Sequence, residues 1–196
     1  MSNPPVDIWQ KVTVRWKDIA RIVAVIATLV GSIFIPPPAY MSESGAGTLV
    51  PFARYAVAIV TALMMVAMVR WNRRPQLRYW IGATVVAFLL VTTNYFVYND
   101  RRDHLTAVGA DGVRVVIGSD YTQVGAAYAR ANPNAGPADA LADAPCPGGG
   151  GAECSARVVW TAESIASNKR LLGLLFVAGA LLLDAALLSA VQCTLI

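Results

Sequence analysis

The stretch 79–98, YWIGATVVAFLLVTTNYFVY, contains no charged residue and is bounded at both ends by aromatic side chains. About 20 residues of α-helix rise about 30 Å, the thickness of the hydrocarbon core of a bilayer. Tyr79, Trp80, Tyr95 and Tyr98 stand near the two ends, where amphipathic rings meet lipid headgroups. The stretch reads as a membrane-spanning helix, and the rest of the chain can be read outward from it.

Of the 196 residues, 56% are hydrophobic and 14% charged, against about 25% charged in an ordinary soluble domain. The apolar residues fall in blocks. One runs from Ile19 to Ile35, interrupted by Arg21 and stopped by Pro36, Pro37 and Pro38. Another runs from Leu49 to Val69, with Arg54 near one end. The last begins at Leu171 and is broken only by Asp184. A cleaved signal peptide is the alternative for the first block. Against it, polar-rich sequence precedes the block, and prolines occupy the place of a small-residue cleavage site. The expected fold is an all-α membrane protein with four transmembrane helices, at 19–36, 49–69, 79–98 and 171–192. A small α+β extracytoplasmic domain, 99–170, lies between helices three and four, and a cytoplasmic segment, 1–18, comes first.

Orientation follows from the short loop 70–78, in which Arg70, Arg73, Arg74 and Arg78 occur without an acid. Short basic loops stay in the cytoplasm. Both termini are therefore expected there, which agrees with Lys11, Arg15 and Lys17 before the first block. Residues 99–170, with eight acids and seven basic residues, are expected outside. The arginine loop is also a candidate contact for a cytosolic partner. The net charge of +4 sits beside apolar blocks, so it reads as a topology signal and not as a nucleic-acid surface.

Within 99–170, Val113–Ile117 and Arg157–Trp160 are expected to pair as two strands. Asp120 or Thr122 should cap a helix running through Arg130 and stopped by Asn132, Pro133 and Asn134. Thr161 should cap another that runs directly into the fourth span. Pro and Gly are dense from Pro133 to Gly151, which reads as a loose excursion without a packed element. Cys146 and Cys154 flank its end and are expected to form a disulfide in an oxidising compartment. A metal site is the weaker alternative, because the single histidine, His104, has no patterned partners.

No P-loop, HExxH, GxSxG or paired CxxC motif occurs, so no enzymatic activity, metal or cofactor is expected. The intramembrane polar residues Asp184 and Asn94 are the candidates for function. An ionised carboxylate at mid-span costs roughly 2.5–3.5 kcal/mol, so Asp184 should face protein or water. Two roles are open to it: a buried carboxyl bonded to Thr92, Thr93 or Asn94 of another span, or a group lining a pore or proton path. Gly173, Ala178, Gly179, Ala185, Ser189 and Ala190 would permit close helix packing, within one chain or in a homo-oligomer.

Gly118-Ser119-Asp120-Tyr121-Thr122, followed by Gly125 and Tyr128, then Val159-Trp160-Thr161-Ala162-Glu163-Ser164-Ile165 and Asn168 before a membrane helix, resembles a module of small multi-span bacterial membrane proteins. Those proteins are associated with caspase-like or nucleotide-sensing antiphage defence systems. The resemblance covers about 105–192 and carries no catalytic motif. It implies an inner-membrane component of a defence response: an oligomeric effector that permeabilises the membrane, or an anchor for a cytosolic sensor or protease. A small transporter is the remaining expectation, with no repeat between the two pairs of spans to favour it.

Overall fold

The computed structural model describes residues 49–71, 74–144, 146 and 151–195, and these are mostly helical. The expected first span, 19–36, and the segment 1–18 lie outside the described residues, as does Arg73. The chain divides into two compact units, one drawing on Phe52–Thr93 and Gly179–Ile196, the other on Asn94–Ala178.

In the first unit, helix α1 (Leu49–Arg70) ends where Trp71 N–H donates to Ala67 O at 2.8 Å. A 3₁₀ turn, Arg74–Gln76, carries Pro75, and helix α2 (Leu77–Leu105) follows at once. Proline suits such a helix start, because its fixed φ is already helical and its missing N–H would have had no partner. The turn is pinned by Trp80, whose indole N–H donates to Trp71 O at 3.0 Å. Helix α6 (Ala162–Leu195) contributes its C-terminal half, and Met68, Trp80 and Leu188 pack together. Helices α2 and α6 are long and apolar enough to cross a membrane.

The side chains of α1 are distributed against the rule for a helix in water. Its exposed stripe is Tyr55, Ile59, Leu63, Val66 and Val69, while Val57, Thr61 and Met68 are buried. The one buried polar residue lies inside, and large apolar groups lie outside.

The second unit begins within α2, at Asn94, and α2 then passes into strand β1 (Thr106–Val108), antiparallel to β2 (Arg114–Val116) with Ala107 opposite Val115. The connecting turn uses Gly112 at φ 76°, a conformation that costs glycine little. Three short helices follow: α3 (Gln123–Ala131), α4 (Pro137–Asp143) and α5 (Gly151–Val159). They and the hairpin enclose a core that includes Val115, Ile117, Leu141, Ala156, Val159 and Trp160. Asn94 on α2 reaches Leu175 on α6, while Tyr98 and Leu105 pack on Leu172, so α2 and α6 run antiparallel in this unit.

Two expectations are corrected. Arg157–Val159 is not a strand but the end of α5, whose buried Ala152, Ser155, Ala156 and Val159 recur at the helical period. The partner of β2 is instead the adjacent Thr106–Val108, a far shorter closure than one reaching to residue 157. The Pro/Gly-dense region is also not empty of packed structure, because α4 lies within it. Pro137 occupies its first turn, Gly136 N–H donates to Asp139 Oδ2 at 2.8 Å, and Ala140 and Leu141 are buried. Here proline and glycine begin a helix instead of breaking one.

Leu141→Ala should therefore destabilise the second unit by roughly 2–5 kcal/mol. Amide hydrogen exchange on the full chain measures this, with faster exchange expected across 106–160. Unchanged protection would remove α4 from the core.

Candidate functional site

The first unit places Asp184 on α6 against Thr61 on α1, both almost fully buried at 3% and 1% exposure. Thr61 Oγ1 lies 2.9 Å from Asp184 Oδ2 and 2.8 Å from Val57 O. A hydroxyl has one proton, so the two acceptors share it. Thr61 Oγ1 thus donates to Asp184 across the two helices while staying within bonding distance of its own i−4 carbonyl, a three-centre arrangement. Asp184 Oδ1 has no hydrogen-bond partner among the described residues.

Two turns along α6, buried Gln192 donates from Nε2 to Met68 O on α1 at 3.4 Å. From Thr61 to Met68 and from Asp184 to Gln192 the residue numbers rise together. The two helices therefore run parallel, with a polar seam between them.

Asp184 is not joined to the residues expected from sequence. Thr92 and Thr93 donate to Phe88 O and Leu89 O of their own helix, each at 2.9 Å. Asn94 Nδ2 donates to Leu175 O at 3.1 Å. The partner, Thr61, is the only serine or threonine in 49–70, and that singularity is its signal in the sequence.

In the second unit, residues of the 118–128 and 159–168 segments meet at one junction. Thr122 N–H donates to Val159 O at 2.9 Å, and its hydroxyl to Val158 O at 2.5 Å. The same hydroxyl accepts from Gly125 N–H, capping α3 as expected. Thr161 N–H donates to Asp120 O at 2.9 Å, Asn168 Nδ2 to Ile117 O at 2.8 Å, and Tyr121 stacks on Trp160. Thr161 also accepts from Ser164 N–H at the start of α6, the expected cap. A Cβ on Gly125 would run into Val159 O, and one on Gly118 into Trp160 and Ser164 Oγ. These side chains satisfy backbone groups or permit close approach. The junction holds the 117–122 loop to the end of α5 and the start of α6.

The first turn of α5 is secured three ways. Cys146 and Cys154 are disulfide-bonded with Cα atoms 5.9 Å apart. Lys169 and Glu153 pair at 3.1 Å, with the Lys169 side chain only 13% exposed. Asp111 accepts from Val113 N–H at 2.9 Å and from Ala152 N–H at 3.1 Å. These backbone donors hold the Asp111 carboxyl below its ordinary value. On α3, the bond from Tyr128 to Asp143 pushes that phenol up to about 12. Of the four loop arginines, Arg70 and Arg78 are exposed, and the Arg78 guanidinium lies 5.1 Å from the Tyr79 ring centroid.

The fold defines a helical protein with two helices long and apolar enough to cross a membrane, carrying a small unit built on a two-stranded sheet. No family model, curated protein or solved structure matches the chain.

Two outcomes follow. Thr61→Val and Asp184→Leu should couple, with an interaction of about 0.6 kcal/mol and at most about 1.7, as found for interhelical hydrogen bonds in membranes. A double-mutant cycle of detergent unfolding measures it, and additivity would mean that the seam contributes nothing. Separately, the stability from Asp111 is present above the ordinary carboxylate value of 3.8 and lost as pH falls through the depressed folded value. Exchange protection at 151–156, taken relative to the intrinsic rate at each pH, should fall below about pH 4, and Asp111→Ala should show that reduced protection already at pH 7. An acid response unchanged by the substitution would assign it to another carboxylate.

Proposed function

We propose that this chain is a four-span protein of the bacterial inner membrane, with cytoplasmic termini and residues 99–170 outside. It acts without catalysis as an oligomeric effector that permeabilises the membrane in a defence response. The observation that carries this reading is the Thr61–Asp184 contact, a polar seam sealed inside helices whose outward faces are apolar. Such a distribution suits lipid as the surrounding solvent. A carboxyl held closed against one hydroxyl is also a group that helix rearrangement in an oligomer can open to water.

Chain direction supports the topology. Parallel α1 and α6, with α2 antiparallel to α6, fit spans that enter, leave and enter the cytoplasm in turn. The Cys146–Cys154 disulfide suits an oxidising exterior.

A second reading, a sensor or anchor subunit, is favoured by one observation. Ser164 and Asn168, which donate to Asp120 O and Ile117 O of the 117–122 loop, lie on the same helix as Asp184. In that reading residues 99–170 bind a partner outside, and the arginine loop holds a cytosolic sensor or protease.

Cells expressing the chain with its neighbouring genes should depolarise on phage challenge, as reported by a potential-sensitive dye. Asp184→Asn should insert and assemble normally but lose that response. A fully active Asn variant would remove the acid from the pore. Unaltered membrane potential together with a stable heteromeric complex on co-purification would replace the effector with the subunit.

A further inference from the structure

The turn between α1 and α2 borders a groove of about 510 Å³, within the range of small-ligand sites. Its floor is apolar: Met64 and Ala67 come from α1, and Trp80 and Ala83 from α2. Its rim is aromatic and exposed, with Trp71 at 55% and Tyr79 at 66% exposure. Exposed Leu63 and Val66 on α1 and Ile81 on α2 continue the apolar surface beyond it. Cationic groups stand at the same end of the helices. Arg70 closes α1, Arg78 lies over the Tyr79 ring, and the first turn of α2 contains no acid. An apolar floor, an aromatic rim and unopposed arginines match an acyl chain, a glycerol backbone and an anionic headgroup in that order.

We propose that this groove binds one anionic phospholipid of the inner leaflet, its acyl chain between Met64, Ala67 and Ala83 and its phosphate at Arg70 and Arg78. Charge selects the occupant. A second copy docked here by a two-fold axis would set two arginine-rich turns against each other, whereas an anionic lipid neutralises one. Basic pockets between helices on the cytoplasmic side are suited to phosphate headgroups. A zwitterionic lipid offers the same chains without the net charge, so preference between the two isolates the role of the arginines. The proposal rests on the reading that α1 and α2 span the bilayer with their connecting turn inside.

The test uses the purified full-length chain in detergent, titrated with phosphatidylglycerol or phosphatidylcholine of identical acyl chains and followed by native mass spectrometry. Phosphatidylglycerol should be retained with a clear preference. Arg70→Gln and Arg78→Gln should each reduce that preference about fivefold, the factor expected for one basic residue at an anionic surface. Ala67→Trp, which fills the groove and leaves the charge unchanged, should abolish retention, with Ala67→Leu as a milder filling variant should the indole prevent folding.

Equal retention of the two lipids, or a preference that survives the arginine and filling variants, would overturn the proposal. So would a lipid-free dimer that becomes monomeric on filling, because the groove would then belong to a second copy. Alkaline carbonate extraction of native membranes separates this failure from failure of the membrane reading. A chain released by carbonate defeats both, and a retained chain without lipid preference defeats only the lipid site.

Discussion

A carboxyl group placed among apolar side chains must find a hydrogen-bonding partner, and for Asp184 that partner is a hydroxyl on a helix more than a hundred residues earlier. The contact constrains more than two side chains. With Gln192 against Met68, it sets α1 parallel to α6 and fixes which faces of both helices turn inward. Once Thr61 and Asp184 are inside, the outward stripe of α1 must be Tyr55, Ile59, Leu63, Val66 and Val69, because the helical period leaves no alternative. The apolar exterior and the polar seam are two consequences of one arrangement.

The second unit is organised by backbone carbonyls. Ile117, Asp120, Val158 and Val159 each present a C=O that Asn168, Thr161 or Thr122 satisfies. Unpaired buried carbonyls are costly, so removing the Asn168 amide or the Thr122 hydroxyl exposes more than its own packing. Gly118 and Gly125 let the segments approach closely enough for those bonds to form. The Tyr121–Trp160 stack covers the same meeting point. Gly118, Tyr121, Thr122, Gly125, Trp160, Thr161, Ser164 and Asn168 are thereby accounted for by architecture.

Local chemistry made part of this structure legible. Thr122 and Asn132 bracket α3, and Thr161 opens α6, because caps are short-range bonds that sequence spacing reveals. The pairing of Cys146 with Cys154 was legible for a similar reason. What failed was decided by tertiary burial. Val158 and Val159 favour strands in isolation, yet they close a helix whose inward face is set at residues 152, 155, 156 and 159. Thr61 is not legible from sequence as the partner of Asp184 because a threonine in a helix ordinarily bonds its own i−4 carbonyl, as Thr84, Thr92 and Thr93 do. Only the pairing of α1 with α6 distinguishes it, and nothing local encodes that pairing.

Stability alone does not explain why an acid occupies position 184. In the membrane-spanning reading proposed above, an interhelical hydrogen bond returns about 0.6 kcal/mol, while a mid-span aspartate costs roughly 2.5–3.5 kcal/mol to insert. A leucine there would be the more stable choice by that comparison. Specificity offers a physical account. Helices α1 and α2 are joined by a turn of a few residues, which fixes their register without help. Helices α1 and α6 have no such connection: α2 and the whole second unit intervene, and two apolar surfaces can slide past each other at little cost. One hydrogen-bonded pair that must coincide penalises every other register by leaving a buried polar group unmatched. Asp184 and Thr61 thus define how the parallel helices meet, and a group that defines one register is also the group whose release permits another.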